Sequence, residues 1–268
     1  TFDKLLYFMP PLLLERKGNV LNLWLNRPEK RNAFNTEFIN ELVQSLKNIE
    51  RDGSVRFLVI RGTGSMFSAG ADLDWMLQSS ELAFEDNFNE SRELAEVFSS
   101  LYHLPVPTLV VTHGKVFGGA LGLMAAADFT WAVRNTSFCF SEVKVGLSPS
   151  TIIPYIVNKT GMANTKELVY SAMVFNDKKA KEIGLVDRII EPENLENELE
   201  IFLSSITTNA GGAITESKKM IHLVNPVFID EKMIVNTAAS IAKRRITPEA
   251  KEGITAFFEK RKPNWQTS

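Results

Sequence analysis

HGKVFGGALGLMAAAD, residues 113–128, is the stretch from which the fold is read. It opens on the polar His113 and Lys115 and closes on Asp128, and nothing from Val116 to Ala127 can titrate. A glycine pair feeds an apolar helix over 118–127, directly after PTLVVTHG (107–114), which reads as a buried strand. Two readings are open. The small residues let two elements approach closely, or the backbone does chemistry, because the first N–H groups of a helix have no partner within it.

A second stretch repeats the arrangement. RFLVIRG (56–62) reads as a buried strand, and FSAGADLDWM (67–76) follows as a glycine-bearing loop entering a helix. Two such turns side by side can aim two N–H groups at one carbonyl oxygen, which makes an oxyanion hole without any charged residue.

Outward from these turns the chain alternates strands and helices. LLLERKGNVLNLWLN (12–26) predicts two strands turning at Lys17-Gly18-Asn19. In the second strand Val20, Asn22 and Trp24 fall on one face and Leu21, Leu23 and Leu25 on the other. TEFINELVQSLKNIERD (36–52) is an amphipathic helix capped by Asn35 or Thr36, with Phe38, Leu42, Leu46 and Ile49 on one stripe. Residues 83–103 predict a long helix; FTWAVR (129–134) and SFCFSE (137–142) look like strands. After Pro149 the patterns are helical except for DRIIE (187–191). The expected organisation is an α/β core over 1–191 and a helical region over 192–268 that must pack on the core or on another subunit to bury its faces.

Composition narrows the function. Of 268 residues, 44% are hydrophobic and 23% charged, with a net charge of −2, so no basic surface is expected to hold nucleic acid. No apolar run approaches a membrane span. The start, TFDKLLYFMPPLLLERKG, lacks a basic n-region and reads as a leader into the first strand. Cys139 is the single cysteine, and His103, His113 and His222 are scattered along the chain, so neither a disulfide nor a metal site is expected and a reducing, cytoplasmic setting fits.

Six stretches, LNRPEKRNAFN (25–35), FSAGADLDWM, HGKVFGGALGLMAAAD, FSEVKVGLSPS (140–150), AKEIGLVDRII (180–190) and EGITAFFEKRKPNW (252–265), together resemble the crotonase (enoyl-CoA hydratase/isomerase) superfamily in order and spacing. The resemblance implies a crotonase-like ββα spiral core with a C-terminal helical trimerisation region, and assembly as a homotrimer or a dimer of trimers. It implies acyl-CoA substrates, with CoA carried as part of the thioester and no separate cofactor. Carried over position by position, the oxyanion donors are the N–H groups of Ala71 and Gly119. CoA contacts fall on Arg31, Ala33, Ala69, Asp72 and Leu73, with Phe257 and Lys260 reaching the CoA of a neighbouring subunit.

The chain departs from the two-carboxylate hydratases at one position. Where they carry a glutamate in the helix after the glycines, this sequence has Gly122; the second carboxylate is kept as Glu142. A single carboxylate suffices for an isomerase, which takes a proton from one carbon and returns it to another. The wording around Glu142 is nonetheless similar to bacterial 3-methylglutaconyl-CoA hydratases of leucine breakdown. The expectation is a hydratase of a short branched enoyl-CoA working through Glu142. A single-carboxylate isomerase, a related decarboxylase and a non-catalytic acyl-CoA-binding protein remain as alternatives.

Other polar residues carry plainer readings. Glu142 itself can pair with Lys144 or Lys115. Lys115 reads as a solvated charge, Asp128 as a cap or turn residue, Cys139 as a small buried hydrophobe and His113 as a satisfied core histidine. Phe257 and Phe258 read first as a packing stripe with Ile254, and Trp265 as an anchor for the tail. The wall of the acyl pocket is expected from residues 75–100.

Overall fold

The computed structural model describes residues 10–224 and 229–266; the first nine residues of the expected leader lie outside that range. Strands β1 (Leu12–Lys17) and β2 (Val20–Leu25) form a hairpin that turns at Gly18, φ +60°. Helix α1 (Thr36–Arg51) follows, and Asn35 caps it by accepting the Phe38 N–H at 3.0 Å. Then come β3 (Phe57–Gly62), α2 (Leu73–Glu81), α3 (Phe84–His103), β4 (Thr108–Thr112), β5 (Lys115–Phe117), α4 (Ala120–Ala126), β6 (Phe129–Val133) and β7 (Ser137–Cys139). The remainder is α5 (Ile153–Ser171), β8 (Phe175–Asn176), α6 (Asp177–Glu182), β9 (Arg188–Ile190) and four helices, α7 (Leu195–Thr207), α8 (Gly211–Leu223), α9 (Glu231–Arg245) and α10 (Pro248–Phe258).

Six strands form one sheet in the order β1-β2-β3-β4-β6-β9, parallel except for the β1–β2 hairpin. A three-stranded sheet, β5-β7-β8, stands beside it. Both faces of the large sheet are covered, which is why its strands are apolar almost throughout. Leu21, Leu23 and Leu25 of β2 join the main core with α1, α3, α4 and α5. Val20, Phe57, Val59, Leu109, Val111 and Trp131 face the other way and pack on Leu195, Leu199 and Phe202 of α7. The two faces of β2 are those its alternation predicts.

Two local expectations need correction and a third holds. The helix predicted over 118–127 begins only at Ala120, because Gly118 has φ +55° and cannot be helical. SFCFSE is a strand only through Cys139, and Glu142 opens a 3-10 turn over Glu142–Val145. The separate helical patterns on either side of Gly161 are two helical segments that meet at a break at that residue, φ +75°, and together make up α5.

The last helices pack on the core. α9 lies along α3, and α10 sits on the turn that carries Glu142, with Ala250 and Ile254 against Leu147. Arg244 Nε donates to the Gly146 carbonyl at 2.6 Å, tying the end of α9 to that turn. Among the described residues no helix is long and apolar enough to cross a membrane.

Candidate active site

Three loops converge at the ends of parallel strands. The loop after β2 pairs with the loop after β3 through Phe34 N–H to Gly70 O at 2.7 Å and Asp72 N–H to Phe34 O at 2.8 Å. That second loop pairs with β5 through Ser68 N–H to Lys115 O at 3.2 Å and Phe117 N–H to Ser68 O at 3.1 Å. The Gly118 N–H then reaches Cys139 O at 3.0 Å and draws in the segment leading to Glu142. Glycine is needed at the two crossing points. Gly70 (φ +88°) and Gly118 (φ +55°) are left-handed, and a Cβ on Gly70 would stand 2.7 Å from the Phe117 carbonyl oxygen.

These pairings use the N–H groups of Asp72 and Gly118, next to Ala71 and Gly119, but not those of Ala71 and Gly119, which have no hydrogen-bond acceptor among the described residues. Both residues line one cavity of about 50 Å³ together with Glu142. The two expected oxyanion donors and the expected carboxylate are thus brought to the same place.

Glu142 is half-buried as a residue, but its Oε2 is shut away from solvent without a hydrogen-bond partner. A Cβ on Gly118 would lie 3.3 Å from Glu142 Oε1, so the carboxyl group rests on the glycine turn. Burial pushes its pKa up to about 7, offset in part by its own backbone N–H. The plainer reading of Glu142 as an ion-pair partner is not what the structure shows. Lys115 is exposed, and Lys144 Nζ lies 3.9 Å from Cys139 Sγ.

The position of the missing carboxylate is filled. A Cβ on Gly122 would stand 2.4 Å from Ile152 Cγ2 and 2.6 Å from Phe98 Cε1. No side chain fits there without displacing both, and this part of the site is apolar by construction.

Of the positions expected at CoA, Arg31 and Leu73 are exposed, Ala69 is half-buried and Ala33 is buried. Asp72 is committed within the protein: Oδ1 caps α2 through the Asp74 N–H at 3.0 Å, and Oδ2 meets Arg27 at 3.2 Å. Lys260 is exposed at the end of α10, and Phe257 is half exposed beside Phe258. The packing stripe of α10 takes in Ile254 and Phe258 but leaves Phe257 facing outward.

The plainer readings elsewhere hold. Asp128 accepts from Thr108 N–H at 2.8 Å and from Lys218 Nζ at 2.7 Å, a structural tie. His113 Nε2 meets the Gly64 carbonyl at 3.0 Å, and burial lowers its pKa. Cys139 is buried. Trp265 lies against Gly253 of α10. The histidines are less scattered in space than in sequence: His222 stacks on Tyr102 at 4.1 Å and lies 6.4 Å from His103. They border a larger cavity of about 270 Å³ that none of the expected site residues line.

The wall of this cavity takes in Trp75 and Leu94 from the 75–100 segment, and Ile152 and Arg245, which sequence reading missed. A signal for Arg245 exists. The buried residues Ile234, Ala238, Ile241 and Arg245 of α9 share one helical stripe, so the register of the apolar positions runs straight into the arginine.

With this geometry in hand, the chain is similar to known proteins over nearly its whole length. Residues 15–268 match the model of the family described as enoyl-CoA hydratase/isomerase. A crotonyl-CoA hydratase from Syntrophomonas wolfei is 31% identical, with 95% of this chain and 97% of that protein covered. A trans-2-decenoyl-[acyl-carrier-protein] isomerase from Streptococcus mutans is 29% identical, covering 95% and 97%. The crystal structure of an enoyl-CoA hydratase from Shewanella pealeana superposes with a TM-score of 0.78 at 34% identity, covering 95% of this chain and 96% of that one.

Proposed function

The chain belongs to the enoyl-CoA hydratase/isomerase family, and from that premise we propose that it hydrates a short branched enoyl-CoA, such as 3-methylglutaconyl-CoA, with Glu142 as its one acid/base. The N–H groups of Ala71 and Gly119 hold the thioester carbonyl oxygen as negative charge develops on it. Ionised Glu142 takes a proton from water while the water oxygen bonds to C3, and the electrons of the double bond move onto the thioester as an enolate. Glu142 then delivers that proton to C2. One O–H bond breaks, one C–O and one C–H bond form, and the carboxylate is restored.

The observation that carries this reading is the unpartnered Glu142 Oε2 in one cavity with two unpartnered N–H groups. Its pKa near 7 lets it serve as base and acid in turn near neutral pH. Arg31, Ala33, Ala69, Asp72 and Leu73 form the CoA-binding rim in this reading, and Phe257 and Lys260 serve a neighbouring subunit of a trimer or dimer of trimers. The outward placement of Phe257 and Lys260 supports such a use.

The test is loss of enoyl-thioester absorbance with 3-methylglutaconyl-CoA in ¹⁸O-labelled water, with Glu142→Gln in parallel. Loss with ¹⁸O in the product, absent in the variant, is expected. The packed-out Gly122 position favours one second reading, isomerisation by a lone carboxylate. It predicts conversion of a 3-enoyl ester to the 2-enoyl ester with no ¹⁸O incorporated.

A further inference from the structure

Arg245 stands on the wall of the Glu142 cavity and is only 6% exposed. Burying a guanidinium is costly unless its donors are used. It has five N–H donors, and its hydrogen bond among the described residues is a long one, Nη1 to Ser91 Oγ at 3.3 Å. Glu90 forms a loose ion pair with it at 3.8 Å, too long for a hydrogen bond, and the same Glu90 oxygen accepts from Ser79 Oγ at 2.6 Å. Beneath the guanidinium, 5.0 Å from its carbon, is the ring of Trp75, whose buried Nε1–H has no acceptor.

The wall is therefore rich in donors and short of acceptors. Burial lowers the Arg245 pKa to about 10, which still leaves it fully charged near neutral pH. Of the remaining wall side chains only Thr151 and Glu142 carry acceptor oxygens; Phe34, Leu94, Pro149 and Ile152 carry none. An aliphatic acyl tail would leave these donors unpaired. A carboxylate is acceptor-only and matches the guanidinium fork with two parallel bonds. The cavity admits only a few heavy atoms, so the anion must sit on a short chain.

We propose that Arg245 selects acyl thioesters whose short acyl chain ends in a carboxylate, and that it binds that carboxylate directly. The inference rests on the thioester reading of the Glu142 site, and it makes Arg245 a specificity residue contributed by α9.

Binding of saturated esters tests it without turnover. Glutaryl-CoA and 5-methylhexanoyl-CoA have the same heavy-atom skeleton and differ in the terminal carboxylate. Titration calorimetry on the wild type is expected to give glutaryl-CoA an affinity higher by about 30-fold, the range of charge-assisted hydrogen bonds. Arg245→Met should bring the ratio close to one. Glu90→Gln, which removes the competing carboxylate, should raise it. A wild-type ratio of one or less overturns the proposal, as does a ratio that survives in a folded Arg245→Met. Should that variant not fold, the wild-type ratio and the direction of the Glu90→Gln change decide. Turnover of glutaconyl-CoA and crotonyl-CoA is measured separately. If neither reacts while the binding ratio holds, the hydratase reading falls and the anion site stands.

Discussion

Ile152 fills the space a side chain at position 122 would need: its Cγ2 lies 2.4 Å from where a Cβ on Gly122 would project. Phe98 closes the same space from α3, and both are fully buried. An alanine at an interior helix position is favoured over glycine by about 1 kcal/mol, whereas overpacking a core costs about 1–3 kcal/mol. Two clashing neighbours in the core make the second effect larger. Gly122→Ala is therefore expected to lower the thermal midpoint by several degrees, and Gly122→Glu to fail to fold or to gain no hydratase activity. A Gly122→Ala protein as stable as the wild type in a thermal melt would show that Ile152 and Phe98 yield easily.

The raised pKa of Glu142 makes two pH predictions of defined sign. If ionised Glu142 is the base, kcat/KM rises with pH through an apparent pKa near 7, and Glu142→Gln lacks that limb. Stability moves oppositely. The folded protein holds the proton more tightly than the unfolded chain does, so stability falls as pH rises from about 4.5 through 7. Glu142→Gln removes that penalty, worth at most about 3 kcal/mol above pH 8, and changes little at pH 4.5. Melts of both proteins at the two pH values, with a pH–rate profile, check both signs; equal midpoints throughout would contradict burial of the carboxylate.

Gly119 offers a way to delete one backbone donor. Its φ of −53° lies within the range of proline, and a Cβ there would meet nothing closer than Phe34 Cδ2 at 4.0 Å. Gly119→Pro should cut kcat by about 10²–10³-fold, the cost of removing one oxyanion donor. Gly119→Ala keeps the N–H and should lose less than tenfold. Similar losses in the two variants would mean that the N–H does not act on the reacting oxygen.

The parts of this fold that were legible in sequence are those set by local period or by glycine chemistry. β2 shows both of its faces in six residues, and the glycine turns announce close backbone approach. What was not legible depends on contacts between distant segments. Ile152 meets Gly122 from thirty positions away, and nothing near either residue signals it. Glu142 reads as the end of a strand but stands in a 3-10 turn, because that turn is fixed by α10 and Arg244 from the far end of the chain. Arg245 was passed over because a basic last turn is the ordinary complement of a helix dipole. Only the spacing of Ile234, Ala238 and Ile241 reveals which of the basic residues points inward.

Asn32 holds the site loops together and gives the last prediction. It is fully buried in the left-handed region, φ +53°, where asparagine is better tolerated than most residues. Its Nδ2 donates to the carbonyls of Thr63, Met66 and Phe67 at 2.8, 3.1 and 3.0 Å, and its Oδ1 accepts the Arg27 N–H at 2.8 Å. The side chain thereby pins the loop after β2 to the loop that presents Ala71. Asn32→Asp has the same shape but turns a donor into an anion facing three carbonyl oxygens. An uncompensated buried charge costs about 3–5 kcal/mol, a large share of a stability of about 5–15 kcal/mol. The expected result is a strong fall in the urea midpoint that lessens at low pH, where the carboxyl group is protonated and can donate once. Where the variant still folds, kcat should fall with the displacement of the Ala71 N–H. A urea midpoint for Asn32→Asp independent of pH and equal to that of the wild type would show that the three carbonyls do not depend on this donor.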